Sequence, residues 1–207
     1  MKVDIHTLAA YLPHMAKPTD SRAKTLSAAA RLMRRQGYHG TGLHDILATA
    51  GSPRGSLYFH FPRGKEEIGE AALALAGETV RLAIVQAAAS SETAETFLAR
   101  IARGMASELA KSGYKEGCPI ATTALETSAQ SDVLGAATRT AFQKWEAEIK
   151  RGLERFGLPS NEADLVATMA LSQLEGAVLL ARTYRSLTPM HRAEQALKLL
   201  LRDPRGR

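Results

Sequence analysis

Apolar residues along this chain recur at helical spacing, and nowhere do they alternate with polar ones for long enough to predict a strand. The β-branched residues are scattered among Ala, Leu, Glu, Gln, Lys and Arg, which favour helix, so the pattern predicts an all-α protein. A first clear helix starts after Asp20 or Ser21 and sets Leu26, Ala29, Ala30 and Met33 on one face. Arg22, Lys24, Arg31, Arg34 and Arg35 lie on its other face, and Gly37 ends it. A second helix runs from about Gly42 to Ala50, with Thr41 as N-cap and Leu43, Ile46 and Leu47 inward. Gly51 and Ser52 make a turn, and Pro53 opens a short third helix that ends near Phe61. From Lys65 onward longer helices are expected at about 65–88, 92–111, 119–129, 132–156, 160–186 and 190–202, with Ser91 and Ser160 as N-caps. Residues 1–19, with Pro13 and Pro18, read as a loosely attached arm holding one short helix around Ile5 to Leu12.

Three short helices with a glycine turn before the third form a helix-turn-helix pattern. The third is cationic at its start and aromatic at its end: "GSPRGSLYFHFPRGKEE" holds Tyr58, Phe59 and Phe61 in a chain with five Tyr, five Phe and one Trp. Arg54, Ser56, Tyr58 and His60 supply donors suited to phosphates or base edges, and Gly55 lets the backbone come close to a DNA strand. Leu57 and Phe61, four apart, should face the bundle. The helix at 160–186 carries Leu165, Val166, Met169, Leu171, Leu174, Val178, Leu179 and Leu180 around most of its circumference, so it should be buried on more than one side. It is either a central core helix or one that packs on its own domain and on a second subunit, with Ser172 and Gly176 allowing close approach.

Charge sharpens this division. Of the net +6, residues 1–65 hold ten Lys/Arg against three Asp/Glu, whereas the remainder is near neutral at seventeen against eighteen. A basic excess confined to one segment suggests a polyanion for that segment alone, nucleic acid or an anionic membrane face. Length and a 45% hydrophobic content suit an ordinary globular core, and the lone Cys118 excludes an intramolecular disulfide framework. No apolar run approaches the roughly 20 residues of a bilayer span, and the start does not read as a signal peptide, so a soluble cytoplasmic protein with no membrane partner is expected.

The stretch "RAKTLSAAARLMRRQGYHGTGLHDILATAGSPRGSLYFHFPRGKEEI" at residues 22–68 resembles the DNA-binding domain of the tetracycline-repressor (TetR) family, most specifically in "DILATAGSPRGSLYFHF" followed by "KEE". By that resemblance Thr41, Arg54, Gly55, Ser56, Tyr58, His60 and Lys65 are similar to positions that touch DNA, Tyr58 and Lys65 at phosphates and Arg54, Gly55 and Ser56 nearest base edges. Three residues, Pro62, Arg63 and Gly64, separate Phe61 from Lys65 where the family commonly has two, which makes Arg63 a rival for the phosphate contact; Gly42 stands where Ser or Thr is usual. The extra residue in "FPRGKEE" and the segment "GCPIATTALE" at 117–126 resemble the LmrA/YxaF-like branch, whose members are similar to repressors of transport or detoxification genes. Beyond the arm at 1–19, the resemblance implies a DNA-binding domain at 20–66 with its motif at about 42–61, and a regulatory domain at 67–207. It also implies a homodimer through the last two long helices, a double-stranded DNA operator and a small-molecule effector in a cavity within each subunit.

Candidate cavity residues are the large or polarisable side chains of the middle helices: Phe97, Ile101, Met105, Tyr114, Phe142, Trp145, Met169 and Gln173. Sparse aromatics and many alanines leave room for a mostly apolar effector. No cofactor is implied. The six histidines offer no metal set, and no nucleophile elbow, phosphate loop or paired-acid motif frames a catalytic group, so the expected reading is a regulator rather than an enzyme. The competing reading is an all-α enzyme or small-molecule carrier with an incidental basic segment.

Overall fold

The amphipathic stripe of the first helix organises the N-terminal end of the molecule. The computed structural model describes residues 21–201, and α1 (Ser21–Gln36) buries Leu26, Ala29 and Met33 as the spacing predicts. Gly37, at φ +77°, ends it by returning its N–H to the Met33 carbonyl at 3.0 Å. α2 (Leu43–Ala50) lays Ile46 and Leu47 against that stripe. A single 3₁₀ turn at Arg54–Ser56 then runs into α3 (Leu57–His60), and α3 and the residue after it contribute Leu57 and Phe61 to the same core.

Behind this head lies the larger body: α4 (Lys65–Ala89), α5 (Ala94–Lys111), α6 (Pro119–Thr127), α7 (Asp132–Arg155), α8 (Ser160–Tyr184) and α9 (Thr188–Leu200). α4 packs along α7, α8 on α7 and α9, and α5 on α9. The α4–α7 contact is close because Gly77 meets Ala141, where an added Cβ would stand 3.0 Å from the alanine Cβ. The buried Trp145 indole N–H donates to the Gly77 carbonyl at 2.8 Å and pins the two helices in register. Phe97 is buried beside Phe156, and burying side chains of this size stabilises by roughly 1.5–3 kcal/mol each.

The all-α expectation holds across the described residues; the expected arm at 1–19 lies outside them. Several local expectations do not hold. Gly42, not Thr41, is the N-cap of α2, because the Thr41 hydroxyl is buried and donates to the Gly37 carbonyl at 2.6 Å. Pro53 stays extended at ψ 144°, so the third helix starts one residue later and as a 3₁₀ turn. α5 begins at Ala94 behind a reciprocal Thr93–Thr96 capping box rather than at Ser91, whose hydroxyl donates to the Ala87 carbonyl. Pro159 precedes α8 as its cap, and Ser160 Oγ donates to Glu154 Oε1 instead.

α8 departs most from expectation. It is long and apolar enough to cross a membrane by length and composition, although no such run was expected. Its inward stripe of Ala163, Val166, Ala167, Ala170, Leu174, Ala177, Val178 and Ala181 packs into the body, as in a core helix. It is buried on that side only within one chain: Leu165, Met169, Leu179 and Leu180 are exposed on the remainder.

Candidate nucleic-acid interface

The turn between α2 and the 3₁₀ segment is set by Gly51 in the left-handed region (φ 62°, ψ 32°), whose N–H caps α2 at the Ala48 carbonyl, while Ser52 N–H reaches the Leu47 carbonyl. With that turn fixed, Leu57 and Phe61 point into the head, and Phe61 N–H donates to the Leu57 carbonyl at 2.8 Å. The other side of the short helix must then face outward. Tyr58 is 63% and Phe59 83% exposed, and His60 is half-buried between Phe59 and Phe61 with edge-on ring contacts. Arg54 is exposed and its Nη2 lies 3.2 Å from His44 Nδ1, so a basic pair bridges α2 and the 3₁₀ turn. Nothing lies within 4 Å of where a Cβ would stand on Gly55, leaving its backbone open to a strand. A shallow cleft of about 470 Å³ runs between the two elements, lined by His44, Leu47, Ala48, Gly51, Ser52, Pro53 and Arg54.

The structure thus brings Arg54, Gly55, Ser56, Tyr58 and His60 onto one short segment, as the sequence predicts. Thr41 does not join them as a side chain, since its hydroxyl is buried and spent on Gly37. Gly64 takes a conformation that suits glycine (φ 66°, ψ −132°) and lets α4 start directly behind the head. Lys65 Nζ sits 4.4 Å from the centroid of the Tyr38 ring, and burial lowers its pKa. Arg63, its rival, donates to Glu70 Oε2 at 2.7 Å, and that hydrogen bond raises its pKa. Both cations are therefore held by the protein's own groups in this conformation.

Hydrogen bonds tie the head to the body beside an Arg34–Glu116 ion pair at 3.5 Å. Gly117 N–H donates to the Arg34 carbonyl at 2.9 Å, Arg182 Nη2 to the Arg35 carbonyl at 2.7 Å, and His39 N–H to Glu126 Oε2 at 2.9 Å. The first two satisfy last-turn carbonyls of α1, which no intrahelical donor reaches. Ser131, while capping α7, also donates to Glu66 Oε1 at 2.7 Å in the first turn of α4.

The predicted effector residues are dispersed. Trp145 and Phe142 pack edge-on at 5.5 Å, but the indole N–H is committed to Gly77. Phe97 is wholly buried against Gly152 and Phe156, while Ile101, Met105, Tyr114 and Gln173 are half-buried. Met169 lies 43% exposed on the outer face of α8 with Leu165, so it faces away from the body. None of the eight lines the cleft of about 350 Å³ between α5 and α9, which is bordered by Ala102, Arg103, Ala106, Met190, His191 and Glu194 among others. The sequence reading also passed over Glu175, a carboxylate in the apolar run of α8. The residue is partly exposed, yet its Oε1 is buried, and burial raises its pKa to about 7 against the lowering effect of a hydrogen bond with Cys118. Cys118 is half-buried, caps α6 with its Sγ, and the desolvation of that thiol raises it well above its ordinary pKa. Among the described residues no His/Cys/Asp/Glu group could hold a metal ion.

These features define a helix-turn-helix head carried on a larger helical body. Comparison with known proteins places that class. Residues 26–72 match the family model of bacterial regulatory proteins of the tetR family, and residues 94–196 match the C-terminal domain of LmrA/YxaF-like transcriptional regulators. The chain is 34% identical over 188 residues to YxaF of Bacillus subtilis (strain 168), an uncharacterized HTH-type transcriptional regulator, covering 91% of this chain and 98% of that protein. It is likewise 34% identical over 184 residues to the HTH-type transcriptional regulator LmrA of the same organism, covering 88% and 97%. A TetR transcriptional regulator from Legionella pneumophila shares the fold with a TM-score of 0.80 at 19% identity, over 89% of this chain and 98% of that one. The chain therefore belongs to the TetR family, with an LmrA/YxaF-like C-terminal domain, and is a transcriptional regulator with a DNA-binding role. Regulators of this family usually act as homodimers that respond to small molecules.

Proposed function

We propose that the protein is a homodimeric, cytoplasmic repressor that binds a pseudo-palindromic operator and is released from it by a small, mostly apolar effector. The observation that carries this reading is the orientation of the recognition segment: Leu57 and Phe61 anchor it inward, while Tyr58, Phe59 and Arg54 stand exposed on a head that holds the excess positive charge. Arg54, Gly55 and Ser56 read base edges and Tyr58 binds a phosphate, with His60 beside it. A phosphate contact from Lys65, whose Nζ rests on the Tyr38 ring, would couple DNA binding to the first turn of α4.

The exposed Leu165, Met169, Leu179 and Leu180 of α8, with Tyr184 and with Leu199 of α9, support a dimer through these two helices. A Cβ on Gly176 would meet nothing within 4 Å, which suits close approach of a partner helix. Two heads would then enter successive major grooves about 34 Å apart. An effector releases DNA only if it binds better to a head spacing that does not fit the operator. The deciding experiment titrates the protein on its own upstream region and on random DNA at two salt concentrations. Tyr58→Phe should weaken both DNAs similarly, whereas Arg54→Ala should change which sequence is preferred. Unchanged affinity and preference in both variants would refute the placement of the recognition segment.

A further inference from the structure

Buried polar atoms in folded proteins nearly always have a hydrogen-bond partner, and those without one call for an explanation. Among the described residues three buried side-chain atoms lack one: Arg34 Nε, Thr123 Oγ1 and Glu175 Oε1. Arg34 is explained by its ion pair with Glu116 at 3.5 Å. Thr123 is a neutral hydroxyl in α6, the helix that Cys118 caps. Glu175 is different in kind, since a carboxylate oxygen shut away from water is held against its preference for it. Burial and a hydrogen bond with the Cys118 thiol are what act on the carboxylate, and no cationic side chain is among them. The nearest turn of α8 that carries a cation on the same face is Arg182, seven positions and so about 10 Å along the axis, and Arg182 is engaged with the Arg35 carbonyl.

Desolvation and a thiol hydrogen bond are what Glu175 meets, and neither needs a charge. An amide or an apolar residue would fill the same space without the desolvation penalty, so stability does not account for a carboxylate here. What a carboxylate offers, and an amide does not, is a charge-assisted bond to a cation brought in from outside. We infer that Glu175 is the anchor for an ammonium or other cationic nitrogen on an otherwise apolar small molecule, which enters the body beside Cys118 and places its charge against the unpartnered Oε1.

This rests on the effector-responsive reading above and names the chemical class of the effector. The location gives such a ligand leverage. Cys118 follows Gly117, whose N–H caps α1 at the Arg34 carbonyl, and Arg182, two turns from Glu175, caps the next carbonyl. A group seated against Glu175 Oε1, beside Cys118, therefore adjoins the segments that supply both body-derived caps of α1.

The test uses three probes with one tail and different heads, octylamine, octanol and octanoate, titrated against the full-length protein by Trp145 fluorescence and calorimetry without DNA. The amine should bind at least about tenfold more tightly than the alcohol, and octanoate more weakly than either. In Glu175→Gln the amine advantage should fall to near unity while octanol affinity is unchanged; Glu175→Met serves as a second variant, each checked for folding by its thermal transition. Equal affinity for amine and alcohol in the natural sequence, an amine preference that survives both variants, or no amine binding up to millimolar concentration would each overturn the assignment. The DNA titration of the preceding section is read separately, so loss of the amine site leaves that reading standing, and failure to bind DNA leaves the amine ratio interpretable.

Discussion

Replacing Glu175 by Gln should flatten a specific part of the protein's pH dependence. Burial raises this carboxyl from its ordinary 4.5 to about 7, so the folded protein holds a proton there that the unfolded chain has already released. Below pH 4.5 both states are protonated and the group is neutral in its effect. Between 4.5 and about 7 the folded state binds more protons, so the group's contribution to stability falls as pH rises, and above about 7 the full penalty is present. A shift of about 2.5 units at 1.36 kcal/mol per unit gives a penalty of roughly 3 kcal/mol. For a chain of this length that corresponds to roughly 6–12 °C in melting temperature. The assay is urea or thermal unfolding of the natural protein and Glu175→Gln at matched protomer concentration from pH 4.5 to 8, because the proposed dimer would make the transition concentration-dependent. The difference between the two curves removes every other titrating group common to both. It should grow in favour of Gln across that window; a difference that stays flat with pH, or that favours Glu at pH 8, would refute the reasoning.

Gly152→Ala should destabilise by about 1–3 kcal/mol through overpacking, partly offset by about 1 kcal/mol of helix propensity, because a Cβ there would stand 2.5 Å from the buried Phe97 ring; chemical denaturation measures it. Arg182→Ala should leave the Arg35 carbonyl without its body-derived donor, speeding amide hydrogen exchange at the C-terminal turn of α1 with little change in α5 or α9. Leu179→Glu, at a side chain 61% exposed on α8, should leave the fold intact and shift sedimentation towards the monomer. Gly64→Ala forces a non-glycine residue to φ 66°, ψ −132°, and should lower stability by roughly 1–3 kcal/mol and weaken DNA binding with it.

The helices were legible because each long segment repeats its apolar residues at 3.6 spacing, and the breaks at Gly37, Gly51 and Ser131 carry unambiguous turn or cap chemistry. In the short third helix the inward placement of Leu57 and Phe61 was legible from their spacing of four. Caps were misplaced where two competent residues adjoin, as Ser91 and Thr93 do, since only the reciprocal bond to Thr96 decides between them. Thr41 read as a cap and a DNA contact because its type fits both, and only the fold reveals that Gly37 has claimed its hydroxyl. For the candidate effector residues, size and polarisability do not distinguish Trp145, locked to Gly77, from a side chain that lines a cavity. Glu175 carried a usable signal, a lone carboxylate within the apolar middle of α8, which the search for large side chains passed over.

The caps on α1 bear on how such regulators can be recombined. Because Gly117 and Arg182 finish the first helix from outside its own domain, the head is not a self-sufficient cassette. A chimera that joins residues up to 66 to the body of another regulator would inherit two exposed carbonyls at Arg34 and Arg35, and its first helix would fray at the end that supports Tyr38 and, through it, Lys65. Grafts that carry the 116–118 segment and a position-182 arginine with the head should keep its DNA affinity, so the functional seam of this molecule does not follow the linear boundary between its two parts.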